Sequence, residues 1–257
     1  MLVVLSPAKK LDFDSPLRVT AHTRPVFLDQ ANELAARLQT LGPDALGRLM
    51  KLSAALAELN AHRYAGWVAD PDLQHARQAV LAFDGDVYAG LQAGSLDSQQ
   101  MAWAQDHLAL LSGLYGVLRP LDLIQPHRLE MGTRLETARG ANLYAWWGGQ
   151  IADELNRRLD ALAGERVLVN LASAEYFRSV QIPRLQGRVI ECVFQDLKDG
   201  AWKVIGLHAK RARGLMARHI IEQQIESSEQ LRGFAAEGYA WHAPQSDEAR
   251  LVFRRGG

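Results

Sequence analysis

The side chains best suited to chemistry fall in a few short segments. Ser6-Pro7-Ala8-Lys9-Lys10 follows the apolar run Leu2–Leu5. Ser is favoured at a helix N-cap and Pro at the first helical position, so a helix or turn is expected to begin here. Free backbone N–H groups at such a terminus attract anions, and Lys9 and Lys10 add to that attraction. The same letters spell Ser-x-x-Lys, the serine nucleophile and lysine base of penicillin-binding enzymes, but the Ser-Asp-Asn and Lys-Thr-Gly companions are absent. Structural cap, anion site and nucleophile all remain open. In Phe83-Asp84-Gly85-Asp86, two carboxylates flank a glycine just past another apolar run. They suit a metal or proton exchange, or a polar turn with a capping Asp.

Farther along, Leu110-Leu111-Ser112-Gly113-Leu114-Tyr115-Gly116-Val117-Leu118-Arg119-Pro120 sets two glycines three apart between apolar flanks. The spacing resembles a helix-hairpin-helix, which offers backbone N–H groups to DNA phosphates without reading bases. Glycine suits that task because a side chain would hold the backbone away. A tight turn packed on the core fits the same letters. The ordered loop Gln125–Arg134 carries Arg128 and Glu130, either an ion pair or a phosphate ligand with its positioning carboxylate. Asn170–Arg178 follows the most buried run and carries Glu175, with Ser173 placed as an N-cap. Between Gly200 and Ile221 there is no Asp or Glu, yet Lys203, Lys210, Arg211, Arg213 and Arg218 occur there. Lys210, Arg211, Arg213 and Arg218 share one broad helical arc with Gly214 in its middle. That arc is a solvated face or a phosphate-binding surface.

These segments need a scaffold. Leu2–Leu5, Ala79–Phe83, Arg166–Leu171, Val189–Phe194, Lys203–Leu207 and Leu251–Phe253 read as strands, with Lys198-Asp199-Gly200 as a hairpin turn. Phe27–Leu38, Pro43–Leu49, Ala54–Ala65, Ser98–Leu111, Ala145–Leu162 and Ala209–Ile225 carry helical periodicity. The alternation is irregular and no linker divides the chain. The expectation is one compact mixed α/β (α+β) domain over residues 1–257, a mixed β-sheet surrounded by helices, with residues 254–257 a disordered tail.

Composition narrows the function. Lys plus Arg number 29, as do Asp plus Glu, so global charge gives no argument for nucleic acid and the case rests on placement. The N-terminus lacks a cationic leader and no run reaches the ~20 apolar residues of a membrane helix, so the cytoplasm is expected. Cys192, the one cysteine, sits in an apolar run and reads as an inert core residue. The histidines form no i, i+3 or i, i+4 pair, so no metal site and no cofactor is assigned. Trp146-Trp147 reads as core packing.

Together Ser6-Pro7-Ala8-Lys9, Gly85-Asp86-Val87-Tyr88, Leu111–Pro126, Arg128–Gly132, Asn170-Leu171-Ala172-Ser173, Glu175-Tyr176-Phe177 and Ala212–Met216 resemble the YaaA family of bacterial peroxide-stress resistance proteins nearly end to end. The resemblance implies a cytoplasmic protein that limits unincorporated iron and the DNA damage it promotes, with a helix-hairpin-helix element and a basic cleft for duplex DNA. It implies no established reaction. This chain has His127 where the family often has Tyr, Ala174 where an acidic or amide residue is usual, and Arg178 for Lys. The leading expectation is a monomer that binds duplex DNA without sequence specificity, with no obligate protein partner and no membrane. Gly113 and Gly116 would present amides, and Lys9, Lys10, Arg119, Arg128, Lys210, Arg211, Arg213 and Arg218 would line the cleft. The alternative is an enzyme acting on a nucleic acid or nucleotide through Ser6, Lys9, Asp86, Arg128, Glu130 and Glu175. Convergence of those side chains in one pocket is what it requires.

Overall fold

Leu2–Leu5 and Val167–Leu171 contain no charged residue, and they form adjacent parallel strands in which every residue is buried. Strands covered on both faces require such runs, because neither side meets water. In the computed structural model, which describes residues 1–17 and 19–256, these two lie at the middle of a nine-stranded sheet. On one side of Val167–Leu171 come Arg188–Lys198, Arg250–Arg255, Tyr239–Trp241 and Ala235–Ala236. On the other side of Leu2–Leu5 come Leu108–Ser112 and Gly116–Leu118, while Ala201–Lys203 pairs alongside Arg188–Lys198. The middle strands run parallel and the outer ones antiparallel, giving the expected mixed α/β sheet with helices around it. Within the expected turn Lys198-Asp199-Gly200, Lys198 pairs with Ala201, and Asp199 and Gly200 between them both have positive φ, as a two-residue hairpin loop demands. Among the described residues no helix is long and apolar enough to cross a membrane.

Several elements differ from the sequence pattern. The helix Ser98–His107 ends before Leu111, and Leu108–Ser112 becomes a strand because it pairs in parallel with Leu2–Leu5. Asp97 caps that helix: its carboxylate accepts from the N–H groups of Gln99 and Gln100, and Gln100 returns a bond to the Asp97 backbone. Ala79–Ala82 is one helical turn between short strands, not a strand. Gly206 and Leu207 open the helix Gly206–Glu222 instead of continuing a strand. Gly148, at φ +49°, breaks the predicted long helix into Leu143–Trp147 and Gln150–Ala161. Arg254 and Arg255, expected in a disordered tail, pair with Gln195 and Asp196 as the end of the last strand; Gly257 lies outside the described residues.

The helix-hairpin-helix is a β-hairpin. Leu108–Ser112 and Gly116–Leu118 pair antiparallel, with Ser112 opposite Gly116, and the whole stretch is buried. A Cβ on Gly113 would strike the Leu129 carbonyl, and one on Gly116 would lie 2.8 Å from the Trp147 ring. Gly116 also holds φ +69°, which a side chain resists. Trp147 closes the turn by donating its indole N–H to the Gly113 carbonyl at 2.9 Å. Both glycines are buried, and they make room for this chain's own loop and tryptophan. His127 lies against the same hairpin, buried, with its ring edge on Tyr115 and Nδ1 2.8 Å from the Gln125 carbonyl. Burial holds its pKa down to about 4.

The helix Gly206–Glu222 crosses the short helix Asp86–Leu91 with backbone against backbone. A methyl on Gly214 would land on the Val87 carbonyl and 2.8 Å from the Leu91 nitrogen. One on Gly90 would come 2.9 Å from the Leu215 nitrogen. Gly214 therefore admits another helix of the same chain.

Gly214→Ala should lower unfolding free energy by about 2 kcal/mol or more, by overpacking at a site that cannot yield. Gly206→Ala, whose methyl meets nothing within 4 Å, should leave it unchanged or slightly raised, and urea denaturation separates the two. A second prediction concerns acid. Because the folded-state pKa of His127 is below its unfolded value near 6.5, unfolding takes up a proton as pH falls from about 6.5 to about 4. The stability that neutral His127 supplies is present above pH 6.5 and is lost across that window, by about 3 kcal/mol in all. Denaturation at pH 7 and pH 4.5 should show a smaller loss for His127→Tyr than for wild type; equal losses would remove this account.

Candidate functional site

At the carboxyl ends of Leu2–Leu5 and Val167–Leu171 the chain leaves the sheet in two turns, and a cleft of about 500 Å³ opens between them. Such crevices beyond parallel strand ends are the usual ligand positions of open α/β sheets. Ser6 continues the first strand, and its Oγ accepts the Ser173 N–H at 2.8 Å and meets the Ser173 hydroxyl at 3.3 Å. The Tyr88 hydroxyl donates to the Ser6 carbonyl at 3.1 Å. These bonds fasten the two turns and the helix Asp86–Leu91 to one another. Asp86 opens that helix, where the N-terminal dipole favours a carboxylate.

The loop Arg128–Thr133 forms the next wall. Glu130 takes Arg128 on one oxygen at 2.9 Å and Lys9 on the other at 3.1 Å. Glu175 accepts the Gly132 N–H at 2.9 Å, and a Cβ on Gly132 would collide with that carboxylate. Tyr144 donates to the Glu175 carbonyl, while Arg178 stacks over the Tyr144 ring. The last wall is the helix Gly206–Glu222, which contributes Lys210 and Arg213. Neither forms an ion pair with another described residue. Burial draws the Arg213 guanidinium below its ordinary pKa and pushes the Tyr88 and Tyr176 phenols well above theirs, so both phenols stay protonated.

The two sets of expected site residues are placed very differently. Ser6, Lys9, Asp86, Glu130 and Glu175 all line this cleft, and Arg128 touches it through Glu130. Of the expected DNA-contacting residues, Lys9, Lys10, Lys210 and Arg213 line it too. The others have different employment. Arg119 donates to the Gln105 carbonyl and pairs with Asp106 at 2.6 Å. Arg211 grips Glu237, and Arg218 is held by Glu222, Ser95 and the Gln92 carbonyl. Arg211 and Arg218 of the acid-free segment are thus neutralised by acids outside it, while Lys210 and Arg213 form no ion pair among the described residues. The cleft itself carries Lys9, Lys10, Lys210 and Arg213 against Asp84, Asp86, Glu130 and Glu175, so it is balanced rather than basic.

The Ser-x-x-Lys reading does not assemble either: Ser6 Oγ is engaged with Ser173 and Lys9 with Glu130. Sequence reasoning gave no role to Tyr88 and Tyr176, although both stood inside quoted motifs next to chosen residues. Among the described residues no group of three or more His, Cys, Asp or Glu side chains is arranged to hold a metal ion. Cys192 is buried and its thiol is pushed up to about 12 by desolvation, which leaves it unreactive.

Comparison with known proteins places this architecture. A family model described as "Peroxide stress protein YaaA" matches residues 1–245. A UPF0246 protein of Bordetella petrii is 59% identical over 257 residues, covering 99% of each chain. One from Bordetella pertussis is 58% identical over 255 residues, with 99% of each chain covered. A UPF0246 protein of Delftia acidovorans is 56% identical over 257 residues, covering 99% of this chain and 98% of its own. With that extent of match, the chain belongs to the YaaA family of peroxide stress proteins.

Proposed function

We propose that this chain serves the peroxide response as an enzyme, acting at the cleft on a phosphate-bearing nucleotide or nucleic acid. The observation that carries the reading is convergence: Ser6, Lys9, Asp86, Glu130 and Glu175 come from segments far apart in sequence and line one cleft. Carboxylates and cations interleaved in a confined space suit proton transfer on a bound anion. Asp86 and Glu175 carry no cation partner among the described residues, which leaves them free to exchange protons with a ligand. Glu130, bonded to both Lys9 and Arg128, holds those two cations in place. Lys210 and Arg213 supply the charge for a phosphate. The limiting of unincorporated iron that the family resemblance implies is, in this reading, a downstream effect of the reaction rather than sequestration.

A second reading, binding of duplex DNA without sequence specificity, is supported by the exposed lysines Lys9, Lys10 and Lys210 at the mouth of the cleft. The equal number of carboxylates there weighs against a long polyanion and for a small one.

Survival of peroxide by a strain lacking this gene, complemented with variants, tests the first reading. Asp86→Asn and Glu175→Gln should each lose protection while melting within a few degrees of wild type. Full protection by both variants ends the enzyme reading. For the second, anisotropy with labelled duplex DNA across a salt series should show Lys10→Ala plus Lys210→Ala weakening all sequences alike, with the salt slope falling by about 2. Salt-independent binding, or none at low salt, removes DNA as a partner.

A further inference from the structure

Beside the cleft lies a second cavity of about 500 Å³, and the two share Arg213. The wall between them is one short stretch of chain. Ser173, Glu175 and Tyr176 line the cleft, whereas Ala172, Ala174 and Phe177 line the second cavity. The chemistry differs across that wall. The cleft brings four cations and four carboxylates together, while the second cavity sets Phe177, Ile182 and Pro183 beside the charged Arg178, Glu191 and Arg213.

Two amides border that surface. The Asn170 carbonyl oxygen accepts the Ala172 N–H at 2.9 Å, and its NH₂ group has no partner among the described residues. Gln181 likewise makes no side-chain hydrogen bond among them, and it sits at φ +52°, a left-handed conformation that a non-glycine residue adopts at some cost. That conformation turns the chain between the single helical turns Arg178–Val180 and Ile182–Arg184, which shapes the cavity edge. Arg213, partly buried between the two spaces, makes neither an ion pair nor a hydrogen bond with the described residues. Glu191, which also lines the second cavity, acts on this desolvated guanidinium through its charge without bonding to it, and an incoming anion would supply the direct partner.

We infer that the two cavities form one bipartite site for a nucleoside monophosphate. The planar base lies in the second cavity against Phe177, with its edge toward the Asn170 and Gln181 amides. Its phosphate rests on Arg213, and the cleft's carboxylates face the phosphate and sugar. The inference rests on the reading of the cleft as a phosphate-ligand site and narrows its substrate to a free mononucleotide rather than a polymer. Apolar surface beside a few polar groups is what a base-sized ligand requires, and Arg213, common to both cavities, is where the phosphate of such a ligand would meet the cleft.

Titration calorimetry of the full chain with the four ribonucleoside 5′-monophosphates and with ribose 5-phosphate tests it. At least one nucleotide should bind about tenfold or more tighter than ribose 5-phosphate, the margin a stacked base supplies. Ala174→Trp fills the second cavity from an exposed position, and Ile182→Asp makes it polar from another. Each should erase that margin and leave ribose 5-phosphate binding unchanged, whereas Arg213→Ala should weaken both ligands. Nucleotide binding indifferent to Ala174→Trp and Ile182→Asp, or equal to that of ribose 5-phosphate, overturns the bipartite site and leaves the cleft as a phosphate site. Binding of none of these ligands overturns both.

Discussion

Where the helix Asp86–Leu91 crosses the helix Gly206–Glu222, Gly90 and Gly214 leave room for backbone and nothing else. The composition of the cleft depends on that approach. Asp86 stands at the start of one helix, while Lys210 and Arg213 lie one turn or less from the contact on the other. A side chain at either glycine would push the helices apart by the width of a methyl group, and the carboxylate and the two cations would no longer share a space. Close packing therefore sets the electrostatics here, since interiors yield little to added volume.

A second close approach fixes the opposite wall. Gly113 admits the Leu129 carbonyl, Gly116 admits the Trp147 ring, and the loop that follows is pinned by Gly132 to Glu175. Glu130 is thereby held where Lys9 and Arg128 both reach it. In each case a glycine near the site accommodates a piece of the same chain. Lys9, Lys10 and Arg128 are paired with Glu130 and Asp84 before any ligand arrives, so ligand selection falls to the groups left over: Asp86, Glu175, Lys210 and Arg213. That arrangement suits a ligand of small charge and defined shape better than an extended phosphate backbone.

The strands Leu2–Leu5 and Val167–Leu171 were legible in sequence because uninterrupted burial on both faces leaves an uninterrupted apolar run. Ser6, Asp86 and Glu175 were legible for a related reason: each is polar and stands just past an apolar run, where a sheet delivers its loops. The β-hairpin at Leu108–Leu118 was not. No breaker separates His107 from Leu108, so helical periodicity appears to run on, and only pairing with Leu2–Leu5 decides the matter. Two glycines three apart fit a hairpin of helices and a hairpin of strands equally well. The basic segment misled through distance. Glu237, which neutralises Arg211, lies 26 residues away, and Glu222, which neutralises Arg218, stands one residue beyond the acid-free window. Local charge patterns do not foresee partners that the fold brings in.

The position of Leu2–Leu5 in the sheet also bears on how the chain is made. These residues leave the ribosome well before their neighbours on either side, Leu108–Leu110 and Leu168–Leu171. Until those segments emerge, a fully apolar strand has no edge to join and must be shielded some other way. Parallel pairing over such separations closes large loops before it gains contacts, which slows folding and prolongs exposure. A nascent chain of this kind gains from any chaperone that shields the apolar strand until both of its partners have emerged.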